Sequence, residues 1–287
     1  MSVKNVKTRS IAVRRFNDLL VRIISAAAAL LGIVMLAWIL FVILQKGMAA
    51  INWDFFTQLP TPPGMEGGGL ANAIVGTLLM TLLSMVIGVP LGLMTGIFLS
   101  EFGRDSQVAE WVRFAANILM GTPSIIIGVF VYIVMVRPLH HFSGYAGAVS
   151  LAIIMLPVVA RTTEDMLNLV PNALRESALA LGTPRWKVTF GIIFRAAKTG
   201  LLTGILLAVA RVSGETAPLL FTALNSPYWS SSFNEPIGNL TVTIFNYAMS
   251  PYNDWQAMAW GASFLITAGV LGATVLTRGM LLFRSRK

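Results

Sequence analysis

The chain has 287 residues, 56% of them hydrophobic and only 11% charged, with a mean hydropathy of +0.75. Soluble globular chains carry about a quarter charged residues, so this composition excludes an ordinary soluble surface and describes several bilayer-spanning helices in one unit. Zero cysteines exclude a disulfide framework, a thiolate metal site and a cysteine nucleophile, while the meaning of the +9 net charge depends on where the 21 Lys and Arg residues sit.

A hydrocarbon core of about 30 Å needs roughly 20 helical residues. Stretches of that length without Asp, Glu, Lys or Arg predict an all-α, polytopic chain with six spans. A basic tail, residues 1–22, precedes the first span, Ile23 to Leu44. That run is too long for a signal-peptide core and has no small-x-small cleavage site before Gln45, so it reads as a membrane anchor. In the following loop, residues 45–69, Pro60, Pro62, Pro63 and Gly67 to Gly69 punctuate the backbone, and Trp53, Phe55 and Phe56 suit an interfacial aromatic belt. The second span lies within Leu70 to Ser100, where Gly88, Pro90 and Gly92 predict tilt or a kink. The third is Phe114 to Val136 and the fourth Phe142 to Ala160. Thr199 to Leu224 reads as a fifth span although Arg211 and Glu215 interrupt it, and Gln256 to Thr277 is the sixth. Between the last two, Asn225 to Trp255 carries no basic residue and many aromatics, among them Tyr228, Trp229, Tyr247 and Trp255. Such a segment suits a position along the interface or under a partner.

Eighteen of the 21 basic residues fall on one side of this arrangement: before the first span, between the second and third, between the fourth and fifth, and after the sixth. The opposite loops hold only Lys46 and Arg137. Because Lys and Arg accumulate in cytoplasmic loops, both termini are expected to be cytoplasmic.

The longest inner segment, residues 161–198, is written as helix, turn, helix. Pro171 opens a run in which Leu174, Ala178 and Leu181 share a helical face beside Arg175 and Glu176, and Gly182 is placed as a stop. A short amphipathic helix at the membrane surface has this pattern with or without a partner. The stretch ESALALGTPRWKVTFGIIFR resembles the coupling loop of type I ABC importer permeases, E-A-A, three residues, G, nine residues, I-x-L-P. Glu176, Ala178, Gly182 and Ile192 match it, whereas Ser177, Phe194 and Arg195 depart from it. TPPGMEGGGLANA from Thr61, GTPSIIIGVFVY from Gly121, RTTEDML from Arg161, ARVSGETAPLLFTAL from Ala210 and LTVTIFNYAMSP from Leu240 are similar to the phosphate-importer branch of that family.

The resemblance covers roughly residues 61–283 and implies a permease domain over residues 70–283. It also implies a heteromeric importer in a bacterial cytoplasmic (inner) membrane, containing a sister permease (PstC in that branch), an ATPase dimer (PstB) and an external phosphate-binding protein (PstS). ATP and Mg are then expected on the ATPase and no cofactor on this chain. The helix from Glu176 to Gly182 is expected to enter a cleft on the ATPase, with Glu176, Ala178, Gly182 and Ile192 as coupling residues. The chain itself has no Gly-Lys-Ser/Thr triplet, HExxH or GxSxG, so a permease without enzymatic activity is expected. His140 and His141, adjacent in an outer loop, suit a surface role.

Arg211 stands about twelve residues into the fifth predicted span, roughly 18 Å along a helix and so near mid-bilayer. An Arg there costs about 2.5 to 3.5 kcal/mol on insertion scales and usually faces a bundle interior or a water-filled path. Glu215 follows at i+4 and can pair with it. Guanidinium presents a planar fork of donors to a tetrahedral oxyanion, with Ser213 and Thr216 as further hydroxyls, so these four are candidate translocation residues. The alternative is a structural ion pair within the helix or with the sister subunit. Arg161, flanked by Glu164 and Asp165, suits an inner-surface network. Two other functions stay open: an ABC permease for another oxyanion, and an ion-gradient secondary transporter. The latter is disfavoured because no paired, interrupted helices in two related halves are visible.

Overall fold

The fold follows from where the sequence permits helices to run and where it stops them. The structure is a computed structural model that describes residues 11–285 except Glu66 and Asp105. Lys4, Lys7 and Arg9 of the basic tail, and Arg286 and Lys287, lie outside the described residues. Helix α1 spans Ile11–Ala50, starting inside the predicted tail because neither Gly nor Pro occurs before Gly32. Its apolar stretch is exposed along its length. It meets the body at its last turns, where Gly47 and Ala50 pack on the final helix near Trp260, Gly261 and Phe264. A short α2, Trp53–Thr57, is N-capped by Asn52, whose side chain accepts the Phe55 N–H at 2.8 Å, and it buries Phe55 completely.

Helix α3, Ala71–Ile97, continues through a π turn, Phe98–Phe102. Its packing partner is α6, Gly144–Asn168. Gly76, Met80, Ser84, Gly88, Gly92 and Gly96 recur at every fourth position and are all buried. Small residues at this spacing let two helix backbones approach closely. A Cβ at Gly92 would lie 2.7 Å from Val159 Cβ, and one at Gly96 would lie 2.5 Å from Thr163 Cβ. Gly88 and Gly92 are contact points between the two helices, and the helix is continuous through Pro90.

The third predicted span is not one helix. Helix α4, Gln107–Gly121, and α5, Ser124–Leu139 with a π turn at Tyr132–Val136, meet at 104°. Pro123 has no N–H to continue the ladder and forces Thr122 into an extended conformation, ψ 131°. Helix α7, Asn172–Ala180, is the short helix of the inner segment. Helix α8 runs without interruption from Arg185 to Ser213, with a π turn at Thr189–Ile193, so it begins fourteen residues before the predicted fifth span and ends earlier. Gly214 to Thr216 break it, and a single turn, α9, Ala217–Leu220, follows. Helix α10 covers Leu240–Ala248, and α11 covers Asn253–Ser285. Among the described residues there is no strand; five helices are long and apolar enough to cross a membrane, or six if the bent α4–α5 pair counts as one.

The central core, with Met80, Leu151, Met155, Val159, Val212 and Leu219 at its middle, ties α3, α6, α8 and α9 together. A second cluster at the α7 end joins Ile97, Leu167, Val170, Ala178, Val188 and Ile193. A third, at the opposite end, joins Phe55, Leu70, Leu240 and Tyr247. Helix α10 belongs to this third cluster. Leu240 through Thr243 are buried and Tyr247 stacks on Trp255 at 4.3 Å, while Tyr228, Trp229, Phe245 and Tyr252 of the same aromatic segment are exposed.

Candidate translocation and coupling sites

Arg211 occupies the last turn of α8 and not its middle, because the helix ends at Ser213. A cation is favoured there by the partial negative charge of the helix C-terminus. Its Nε lies 3.8 Å from Glu215 Oε1, with the side chains 47% and 16% exposed. That separation is an ion pair without a hydrogen bond, so the half-exposed guanidinium keeps its donors free while the carboxylate is held close.

The backbone beneath the pair is fixed from three directions. Gly214 and Glu215 donate N–H bonds to the carbonyls of Arg211 and Val212 at 3.3 and 3.1 Å, tightening the helix end. Thr241 Oγ1 on α10 donates to the Glu215 carbonyl at 2.9 Å. Asn239, fully buried, N-caps α10 by accepting the Val242 N–H at 2.9 Å, and its amide donates to the Leu224 carbonyl at 2.9 Å. On the remaining side Gly128 of α5 lies under Pro218, where a Cβ would be 2.6 Å from Pro218 Cα.

The structure does not gather all four predicted translocation residues. Ser213 Oγ donates back to the Val209 carbonyl at 2.6 Å and faces an apolar cavity of about 530 Å³ between α3, α8 and α11, away from Arg211. Thr216 starts α9, its carbonyl accepting from Leu219 and Leu220 at 3.1 and 3.3 Å. The hydroxyls of Thr77 and Thr81 share the Ser213 cavity. The arrangement offers a cationic donor fork with a nearby carboxylate on one face of α8, and an apolar recess on another.

At the other end, α7 closes as the sequence pattern requires. Gly182 has φ +76°, its N–H bonds to the Leu179 carbonyl at 2.9 Å, and the Thr183 N–H bonds to the Ala178 carbonyl at 3.4 Å. This is a Schellman end, which needs a residue tolerant of the left-handed region at this point. The expected apolar face is divided. Ala178 packs inward, while Leu174 is exposed and Leu181 is 85% exposed. Glu176 is exposed, and Ile192 is half-buried in the π turn of α8 against the Ala178 cluster.

The division follows from Arg175, which fixes the rotation of α7. Its Nη2 lies 2.7 Å from Glu101 Oε1, its Nε reaches both carboxylate oxygens at 3.2 and 3.3 Å, and it donates to the carbonyls of Leu167 and Val170. Those carbonyls belong to the end of α6, so one side chain caps α6, pairs with the π turn of α3 and holds α7. Arg113 of α4 does similar work, with Nε 2.7 Å from Glu164 Oε1 and Nη2 3.0 Å from the Leu99 carbonyl. Arg161 completes the network at this end with Glu164 at 3.6 Å and Asp165 at 3.3 Å. Sequence reasoning missed Glu101 and Arg113, though each stands at the edge of a predicted span, where a lone charge beside an apolar run signals an anchoring pair. It also missed Asn239, an N-cap residue directly before the apolar run Leu240 to Ala248.

Glycine-packed apolar helices joined by a short, exposed helix define the class as a multi-pass helical membrane protein. Solved structures agree. The chain matches a subunit of the methionine ABC transporter MetNI in an inward-facing conformation, with TM-score 0.56 and 19% identity, over 76% of this chain and 94% of that one. It matches an amino acid ABC transporter solved with histidines, with TM-score 0.52 and 19% identity, over 76% and 92%. Residues 88–286 match the model for the binding-protein-dependent transport system inner membrane component, and the chain belongs to that family. It is 49% identical to the phosphate transport system permease protein PstA of Yersinia pestis, over 96% of this chain and 92% of that one. Its identity to the protein of the same name from Haemophilus influenzae is 48%, over 96% of both. A probable PstA of Methanocaldococcus jannaschii is 38% identical over 88% of this chain and 90% of its own.

Proposed function

We propose that this chain is one permease subunit of an ATP-driven importer and forms half of the path through which phosphate crosses a cytoplasmic membrane. The observation that carries the reading is the near-complete, 49% identical match to a phosphate transport system permease. The geometry supports it: Arg211 presents its guanidinium on an open face at the broken end of α8, with Glu215 beside it as counter-charge. A planar donor fork suits a tetrahedral oxyanion, and Glu215 neutralises the cation when the path is empty. The exposed apolar faces of α1, α4 and α5 support a second, sister permease that completes the path.

The distribution of the basic residues supports a cytoplasmic position for both termini and α7. There α7 meets an ATPase dimer that binds ATP and Mg, and an external phosphate-binding protein delivers substrate at the α2 and α10 end. Glu176 and Leu181 lie outward on α7 for the ATPase, while Ala178, Gly182 and Ile192 shape and seat it. Rigid-body motion of the ATPase then tilts α8 through the α7–α8 connection, as alternating access requires.

Arg211→Gln tests the translocation role. The expected result is an assembled complex whose phosphate uptake falls at least tenfold, while ATP hydrolysis without binding protein is unchanged. Normal uptake by an assembled Arg211→Gln complex contradicts the role.

A further inference from the structure

A cavity of about 460 Å³ opens at the α7 end, between the π turn of α3, the residues leading into α4, α7 and the first turns of α8. Arg104, Arg175 and Arg185 line it, against a single carboxylate among the described residues, Glu101. Arg175 already pairs with Glu101 at 2.7 Å. Arg104 and Arg185 are exposed, and among the described residues neither side chain forms an ion pair. The hydroxyl protons of Ser100, Ser106 and Thr189 are committed to Asn168 Oδ1 and to the carbonyls of Gly103 and Arg185. Recognition of an incoming group therefore falls to two unpaired guanidiniums at a concave site whose other walls include Phe102, Leu179, Val188 and Ile193.

Guanidinium forks bind phosphate oxygens in bidentate geometry, and apolar walls strengthen the attraction by excluding water. We propose that this cavity binds a phosphate group, supplied by free phosphate or by an anionic lipid headgroup. The inference rests on the reading that α7 faces the cytoplasm. Both sources are then available: the transported ion on release, and the inner leaflet around helix ends, where basic pockets take up phosphorylated headgroups.

The test uses the purified complex in nanodiscs, in an Arg211→Gln background that removes the proposed translocation contact, with and without Arg104→Gln plus Arg185→Gln. In phosphatidylcholine discs without the binding protein, equilibrium binding of radiolabelled inorganic phosphate is measured. In discs containing phosphatidylglycerol, native mass spectrometry counts the retained anionic lipids. Saturable phosphate binding weakened at least tenfold by the two substitutions assigns the site to the free ion, and loss of a tightly retained phosphatidylglycerol assigns it to a headgroup. Equal phosphate binding and equal lipid retention with and without the two substitutions overturn the proposal. Failure of the translocation reading is a separate result, appearing as no difference in uptake between the parent complex and Arg211→Gln.

Discussion

Replacing Arg175 with Met should uncouple ATP hydrolysis from transport while leaving the spans intact. Arg175 and Glu101 are 14% and 9% exposed, so their pair is largely desolvated, and the same guanidinium closes the open carbonyls at the end of α6. Removing one partner of a buried pair costs about 3–5 kcal/mol, much of it the penalty on the carboxylate left behind. At the lower end of that range the docked state of α7 loses about a hundredfold in population, since each 1.4 kcal/mol is about tenfold. The contact through Ala178 is too small to compensate. In proteoliposomes containing the complete importer, phosphate taken up per ATP hydrolysed is therefore expected to fall at least tenfold. Arg175→Lys should be intermediate, because it keeps the charge and loses the fork. Adding Glu101→Gln to Arg175→Met should recover part of the loss, because it removes the carboxylate left buried without its partner. A wild-type ratio of uptake to hydrolysis in the Arg175→Met complex would refute the reasoning.

Gly182→Val meets no neighbour, since a Cβ there has no atom within 4 Å, but it forces a β-branched residue to φ +76° at a cost of about 1–2 kcal/mol. Insertion and assembly should be normal and the uptake-to-hydrolysis ratio reduced, measured in the same proteoliposomes. Gly96→Leu drives a side chain into Thr163 and the Ala160 carbonyl, and overpacking of this kind costs typically 1–3 kcal/mol. A lower thermal transition and a lower monodisperse yield on size exclusion should follow. Asn239→Leu leaves the Val242 N–H and the Leu224 carbonyl without their partner, for a loss of about 1–2 kcal/mol, and frees the α10 turn that holds Glu215. Thermal stability and uptake should fall together, and Asn239→Asp, which keeps the cap acceptor, should recover part of the stability.

Hydropathy made the helices legible in the sequence wherever a long apolar run is also a continuous helix, as in α3 and α6. It failed where the same apolar content is bent or turned inward. The run from Phe114 to Val136 satisfies the length criterion only when it is taken whole, across Pro123, and backbone geometry then separates α4 from α5. In the same way, Leu240 to Ala248 is too short to span and is surrounded by aromatics, so composition places it at an interface while Thr77 and Asn239 anchor it inside. The Arg211–Glu215 pair was visible from its i+4 spacing, but the place of Arg211 in its helix was not, because α8 breaks at Gly214 inside an apolar run that continues to Leu224. Ser213 was grouped with Arg211 by proximity in sequence; two residues along a helix turn the side chain about 200°, which puts it on another face. The Arg175–Glu101 clamp joins residues 74 positions apart, beyond the reach of any local pattern.

The central claim, that this chain is the permease half of an ATP-driven phosphate path, is tested most directly by reconstitution. The chain, co-purified with its sister permease and ATPase, is placed in proteoliposomes with the external binding protein, and radiolabelled phosphate uptake is followed. The account predicts uptake that requires ATP, stops when the ATPase is omitted, and drops at least tenfold with Arg211→Gln. Phosphate uptake that persists without ATPase or ATP, driven by an ion gradient alone, would contradict it.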